Sequence, residues 1–126
     1  MKVVVAHFGG GISSILNRIE DYYEVEWKEN QTGDNILKYD FKHYMDKIYI
    51  DTAGVLGWAN GMNSALGAVK PGRILFGSDY PSEISAEATP TRASLRGYVK
   101  AIGDLDIPES DRKAILGDTT SKILKL

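Results

Sequence analysis

Residues 73–81 read RILFGSDYP, an apolar run that ends on a small turn and an aspartate. Two other segments have the same form, VVVAH from Val3 to His7 and IYIDT from Ile48 to Thr52. The first run of the chain and the run from Ile74 to Asp79 are almost continuously apolar, which is typical of strands covered on both faces. The sequence therefore predicts three strands of the parallel type.

Each predicted strand is followed by turn residues and then by apolar residues at helical spacing. These stripes are Ile12, Ile15, Leu16 and Ile19; then Met62, Ala65, Leu66 and Val69; then Leu95, Tyr98, Val99 and Ile102. Two short helices are expected to close the chain, the first from about Pro108 to Gly117 and the second capped by Asp118. The order β-α-β-α-β-α predicts a parallel α/β fold in one domain over residues 1–126.

The stretch from about residue 23 to residue 47 interrupts this alternation. It is polar, yet it contains aromatic residues that are more typical of packing than of a substrate box: Trp27, Tyr39, Phe41 and Tyr44. Its length predicts a folded excursion over the strand ends rather than a linker. His43, between Lys42 and Tyr44, is expected to be a solvated loop histidine.

Composition excludes several classes of protein. The net charge of −2 is spread along the chain, without the basic stripe that nucleic-acid binding requires. No apolar run is long enough for a signal peptide or a membrane span. The absence of cysteine excludes disulfides and thiolate metal sites. We therefore expect a cytoplasmic protein whose partners include neither nucleic acid nor membrane.

Chemistry-bearing residues stand at the ends of all three predicted strands. In parallel α/β folds ligands gather at the carboxyl ends of the strands, where His7, Asp51 with Thr52, and Asp79 are found. Histidine can bind metal or carry protons, but His7 can equally bond a neighbouring carbonyl. Asp79 can act as a metal ligand or general base, whereas the spacing alone favours a turn or cap for both aspartates.

The glycines Gly9, Gly10 and Gly11 lead from the first strand into a helix. Their N–H groups can hold an anion, although a tight strand-to-helix turn is the interpretation that we favour. No Gly-Lys-Ser/Thr follows, so the segment is not a Walker loop, and Ser13 and Ser14 replace the last glycine of a GxGxxG motif.

Four segments in this order, AHFGGGISSILNRIEDY, IYIDTAG, RILFGSDYP and ILGDTTSKIL, resemble the C-terminal part of the amidohydrolase-related family of metal-dependent TIM barrels. This family is similar to the aminocarboxymuconate semialdehyde decarboxylases and related aromatic acid decarboxylases and hydratases. The resemblance implies that the three strands are strands six to eight of a barrel. It also implies that Asp79 binds a divalent metal, zinc in particular, or handles the proton of its water. By the same resemblance His7 lies beside the metal and acts on the substrate or carries a proton.

The family's paired ligands after the first strand and its histidine after the fifth are missing from these 126 residues. A catalytic zinc has three protein ligands, and Asp79 and His7 supply two at most. We therefore expect a C-terminal fragment of a hydrolase or decarboxylase of small carboxylic acids, inactive and with little or no metal alone. Two alternatives stay open: a half enzyme completed in trans by another chain, and a non-catalytic α/β module that binds an anion. Open strand edges predict a homo-oligomer.

Overall fold

The structure, a computed structural model, describes residues 1–29, 38–54, 58–79 and 95–126. Within these ranges three parallel strands form one sheet in the order β1 (Val3–Val5), β2 (Ile48–Asp51) and β3 (Ile74–Leu75). β1 and β2 pair from Val3 with Ile48 to Val5 with Ile50, and Ile50 also pairs with Ile74. The predicted parallel α/β fold is therefore confirmed.

Helices connect the strands and follow the last one. They are α1 (Ala6–Gly9), a short segment in which His7 and Phe8 are left-handed, then α2 (Ile12–Glu29), α3 (Phe41–Met45), α4 (Trp58–Ala68), α5 (Leu95–Gly103), α6 (Glu109–Lys113) and α7 (Thr119–Leu124). A 3-10 turn, Pro71–Arg73, leads into β3, and a π-helical turn, Ala114–Asp118, joins α6 to α7. None of the described helices is both long and apolar enough to cross a membrane.

The core lies between the sheet and the helices that follow β2 and β3. Its buried apolar residues are Phe8, Ile50, Met62, Ala65, Ile74, Ile102 and Ile115. Met62 and Ala65 in α4 and Ile102 in α5 have no exposed surface, which confirms the core-facing role of two predicted stripes. Val99 of the third stripe is an exception, since 45% of its surface is exposed. The side chain of Leu95 lies outside the described part.

The first predicted stripe is only partly a core face. Leu16 is buried, but Ile12, Ile15 and Ile19 on α2 are 44%, 53% and 36% exposed. The strand beside them is open as well, because Val3 and Val4 are 38% and 48% exposed. The prediction that the first strand is covered on both faces is therefore wrong for this chain. An apolar pattern indicates that a surface is suited to burial. It does not show whether a neighbouring helix or strand covers that surface.

The ends of the predicted elements also change. The strands stop at Val5, Asp51 and Leu75 instead of reaching His7, Thr52 and Asp79.

Gly117 does not end a helix, and Asp118 is not an N-cap. The chain passes through both residues in the π-helical turn, and Asp118 is itself helical with φ −60° and ψ −39°. Tertiary contact explains this, since Ile115 has no exposed surface and its carbonyl accepts from the Phe76 N–H at 2.9 Å.

The predicted excursion at about residues 23–47 has two described parts, the end of α2 and residues 38–47, whereas residues 30–37 lie outside the described residues. α3 directly precedes β2, so it lies at the amino end of the sheet. The His43 ring stacks on Tyr39 at 4.0 Å between centroids, and its Nε2 is 2.6 Å from Lys47 Nζ. His43 is therefore packed rather than solvated, at the end of the sheet opposite to His7.

Candidate functional site

The carboxyl ends of the three strands form the candidate site. Because the strands are parallel and adjacent, the residues that follow them emerge at one edge of the sheet. His7 follows β1, Asp51 ends β2 and is followed by Thr52, and Asp79 follows β3. The sequence predicts that these residues lie at strand ends. The structure adds the hydrogen bonds by which Asp51 and Thr52 connect the three ends.

The turn after β1 is a continuous left-handed segment. The φ angles of His7, Phe8, Gly9, Gly10 and Gly11 are 54°, 53°, 78°, 58° and 88°. Glycine adopts such angles readily, whereas an ordinary L-residue loses about 1–2 kcal/mol. The glycines therefore allow the chain to turn from β1 into α2, as the tight-turn interpretation predicts, and His7 and Phe8 need other contacts to remain in this conformation.

Gly9 is required by packing as well as by its φ angle. A Cβ atom there would lie 3.2 Å from Ile50 Cγ2 and 3.4 Å from Ser13 Oγ. The two serines that break the GxGxxG pattern stabilise the same turn: Ser13 Oγ donates to the Phe8 carbonyl at 2.9 Å, and Ser14 Oγ donates to the Gly11 carbonyl at 2.7 Å. Sequence reasoning did not find this role.

Asp51 connects the first two strand ends. Its Oδ1 accepts from the backbone N–H of His7 at 2.9 Å and from that of Ala53 at 3.1 Å. The bond to Ala53 is the local turn that the sequence predicts for an aspartate in this position. The bond to His7 spans 44 residues and is not visible in the sequence.

The His7 ring lies over the turn that follows Asp51. A Cβ atom at Gly54 would lie only 2.9 Å from His7 Nδ1, and Gly54 has a φ of +100°. A side chain at this position would therefore displace the imidazole. Gly54 provides the space in which the ring rests, two residues beyond Thr52.

Thr52 connects the second strand end to the third. Its side chain is completely buried, and its Oγ1 donates to the Gly77 carbonyl at 2.9 Å and accepts from the Gly77 N–H at 3.0 Å. Both polar groups of the Gly77 backbone are thus satisfied by one hydroxyl. The sequence marked Thr52 only as a polar strand-end residue. The signal that could have identified it is a threonine directly after one strand and a glycine shortly after the neighbouring strand.

Asp79 follows Gly77 by two residues and is half-buried. Its φ of 58° is again left-handed, so both residues to which the family resemblance assigns chemistry have a backbone conformation uncommon outside glycine. Such conformations cluster at functional sites. No group of three or more histidine, aspartate or glutamate side chains that can hold a metal occurs among residues 1–29, 38–54, 58–79 and 95–126.

The fold and the polar strand ends together define a class of protein: consecutive βα units of a parallel sheet whose candidate chemistry lies at the carboxyl ends. A family model described as amidohydrolase matches residues 1–126, and the chain belongs to this amidohydrolase family. The family resemblance drawn from the four sequence segments is thereby confirmed. No protein of curated function matches the sequence.

Solved structures with a similar fold include three decarboxylases. 2,6-Dihydroxybenzoate decarboxylase from Rhizobium has a TM-score of 0.70 and 20% identity, over 98% of this chain and 34% of that chain. 5-Carboxyvanillate decarboxylase from Sphingomonas paucimobilis has a TM-score of 0.68 and 21% identity, over 99% and 34%. Dihydroxybenzoic acid decarboxylase from Polaromonas, with bound manganese and 2-nitroresorcinol, has a TM-score of 0.68 and 20% identity, over 99% and 34%.

These likenesses establish the fold. The three strands and their helices match part of a TIM-barrel amidohydrolase. The chain spans about a third of the length of the structures that it matches, 34% of each of these three.

Proposed function

We propose that this chain supplies the last three βα units of the barrel of a metal-dependent amidohydrolase that hydrolyses or decarboxylates small carboxylic acids. His7 and Asp79 are its contributions to the active site. The observation that carries the proposal is the family match over residues 1–126, combined with polar residues at three adjacent strand ends. The dihydroxybenzoate and carboxyvanillate decarboxylases of similar fold favour decarboxylation of an aromatic acid.

A divalent metal belongs to this proposal. Two decarboxylases of similar fold contain manganese, and carboxylate oxygens such as those of Asp79 suit this ion. Zinc is a further candidate from the family resemblance. The described residues do not form a complete centre, since no group of three suitable side chains occurs among them. The remaining ligands are therefore proposed to come from outside the described residues, either from another segment of the same protein or from another chain.

His7 is proposed as the proton carrier. When a carboxylate leaves as CO₂, the C–C bond that held it breaks. The electron pair of that bond stays on the remaining carbon, which must take up a proton. Histidine is a common donor for such a step. His7 suits this role because it is exposed at the strand end, held at its backbone by Asp51, and seated over Gly54.

The glycine turn is proposed to contact the substrate carboxylate, or another anion in the non-catalytic alternative. The three glycines differ in suitability. The Gly10 N–H donates to the His7 carbonyl at 2.9 Å, and Gly9 is buried against Ile50. Gly11 precedes α2, and beyond the adjacent residues no described heavy atom lies within 4 Å of its Cβ position, so an anion can approach. Thermal stabilisation by phosphate or benzoate that is lost in Gly11→Val would support this contact, whereas equal stabilisation of both proteins would contradict it.

Metal binding by the isolated chain tests the proposal that it holds only part of the metal ligands. The purified chain is dialysed against Mn²⁺ or Zn²⁺ and its metal content is measured, with Asp79→Asn in parallel. We expect far less than one metal per chain, because two ligands hold a divalent ion weakly. One tightly bound metal per chain, together with decarboxylase activity, would contradict the proposal that the chain alone is inactive.

Reconstitution tests the reaction. The DNA upstream of the first codon is sequenced for a frame that encodes a His-x-His or Glu-x-His after a β-like run, and its product is coexpressed with this chain. We expect manganese binding and decarboxylation of a hydroxybenzoate, both lost in Asp79→Asn and retained in Asp104→Asn, whose exposed carboxylate pairs with Lys100. Full activity of the Asp79→Asn complex would contradict the assignment of Asp79.

A further inference from the structure

We infer that Asp51 is a positioning residue that holds His7 in its working orientation. The inference rests on the proposed function in one respect, namely that His7 acts on the substrate. Asp51 has no role in the family resemblance, and its local turn with Ala53 explains only one of its two hydrogen bonds. The second bond, to the His7 N–H at 2.9 Å, joins the two strand ends that carry the site.

The sheet register explains why the carboxylate reaches this N–H. β1 and β2 pair up to Val5 with Ile50, so Asp51 is the first residue of β2 beyond the last pair. The chain leaves the sheet after Val5, and the His7 N–H donates to the Asp51 side chain instead of a strand carbonyl. The Asp51 carboxylate thus takes the place of the next backbone acceptor of β2, at the point where β1 ends and the chain turns.

The backbone of His7 needs such an anchor. Its φ and ψ of 54° and 56° are left-handed, and Phe8 continues in the same region. A non-glycine residue keeps this conformation only when surrounding contacts enforce it. The charged acceptor on the His7 N–H is one such contact, made to the strained residue itself.

Asp51 also controls the surface on which the His7 ring rests. The same Oδ1 atom accepts from Ala53, which directly precedes Gly54, and a Cβ at Gly54 would lie 2.9 Å from His7 Nδ1. One carboxylate oxygen therefore fixes both the peptide that carries the imidazole and the turn beneath the imidazole.

The third strand end holds Asp51 in turn. A Cβ atom at Gly77 would lie 3.2 Å from Asp51 Cγ and 3.3 Å from its Cβ. Gly77 is itself fixed by both of its bonds to Thr52. The carboxylate is consequently packed between the turn after β1 and the chain after β3, which restricts its direction.

The test uses the imidazole NMR signals of the chain, which has only two histidines, His7 and His43. In Asp51→Ala we expect the His7 ring signals to move while those of His43 stay. In Asp51→Asn we expect both sets to stay, because the amide oxygen still accepts hydrogen bonds. The control is Asp40→Ala, which removes a similar carboxylate from the His43 N–H at 2.7 Å and should move only the His43 signals.

Hydrogen exchange of the wild-type protein provides a second measurement that needs no variant. The His7 N–H should exchange at least about tenfold more slowly than an unprotected amide, because a hydrogen bond to a charged acceptor protects it. His7 signals that do not move in folded Asp51→Ala, or a His7 N–H without protection, would overturn the inference. Both measurements are made without metal or substrate, so failure of the proposed reaction and failure of this inference are separate results.

Discussion

The ring of Phe8 lies directly against the backbone of Gly61 in α4. A Cβ atom at Gly61 would be 2.6 Å from Phe8 Cδ2 and 2.8 Å from Cγ, closer than such atoms approach in proteins. Phe8 itself is left-handed and 8% exposed. Burial of this ring therefore helps to offset the unfavourable backbone conformation, and the absence of a side chain in α4 makes the burial possible.

Gly61→Ala should destabilise the protein although alanine is the better helix former. Overpacking against the Phe8 ring is expected to cost about 1–3 kcal/mol, against a gain of up to about 1 kcal/mol in helix propensity. Gly67→Ala in the same helix is the control, because its Cβ would meet none of the described atoms within 4 Å and only the gain in helix propensity should remain. Urea unfolding measures the change in the free energy of unfolding for both substitutions. Equal stabilisation by the two substitutions would contradict the contact with Phe8.

Thr52→Val should lower the free energy of unfolding by about 1–3 kcal/mol, because the N–H and carbonyl of the half-buried Gly77 lose their shared partner. Thr119→Val is the matched control. Thr119 is also buried, but its Oγ1 makes a single, longer bond of 3.4 Å to the Gly72 carbonyl. Denaturant unfolding of both variants should therefore show the larger loss for Thr52→Val. The reverse order would count against the Thr52 bridge between β2 and β3.

Asp46, at the amino end of the sheet, should make a contribution to the free energy of unfolding that depends on pH. Its hydrogen bond with Lys42 at 2.6 Å, aided by Arg73 at 3.0 Å, lowers the pKa of the carboxyl below its ordinary value of 3.8. A group whose pKa is lower in the folded state stabilises above its unfolded pKa and loses that effect as the pH falls through the folded value.

Asp46→Asn should therefore be less stable than wild type at neutral pH, and the difference should shrink as the pH falls below 3.8. Added salt should also reduce it, because the pair is exposed. Asp21→Asn, on the exposed surface of α2, serves as the control with little effect. Unfolding curves from neutral to acidic pH measure this, and a difference that grows in acid would contradict it.

We predict that the chain self-associates, because α2 and β1 expose apolar surface. Ile15→Lys should weaken it, because Ile15 is 53% exposed, in a stripe of which only Leu16 is buried. Val99→Lys is the control, with a similar exposure of 45% on α5. Sedimentation velocity over a range of concentrations measures the association. A wild-type chain that stays monomeric at all concentrations would contradict the predicted homo-oligomer.

The helices show how far an apolar pattern predicts burial. The stripe of α4 is a core face as predicted, with Met62 and Ala65 fully buried. The equally regular stripe of α2 buries Leu16 but leaves Ile15 and Ile19 exposed. Both patterns describe a helix suited to packing on one side. Whether that side is covered depends on a neighbouring element, and only the tertiary structure contains that information.

The sequence by itself determined the three strands, their parallel order, and the positions of His7, Asp51 and Asp79 at strand ends. These features depend on local propensity and on the spacing of apolar residues, which are written along the chain. Only the tertiary structure decided that Asp51 holds the His7 N–H and that Thr52 bridges to Gly77. These bonds join residues 44 and 25 positions apart, so they depend on strand register, which sets which backbone groups meet.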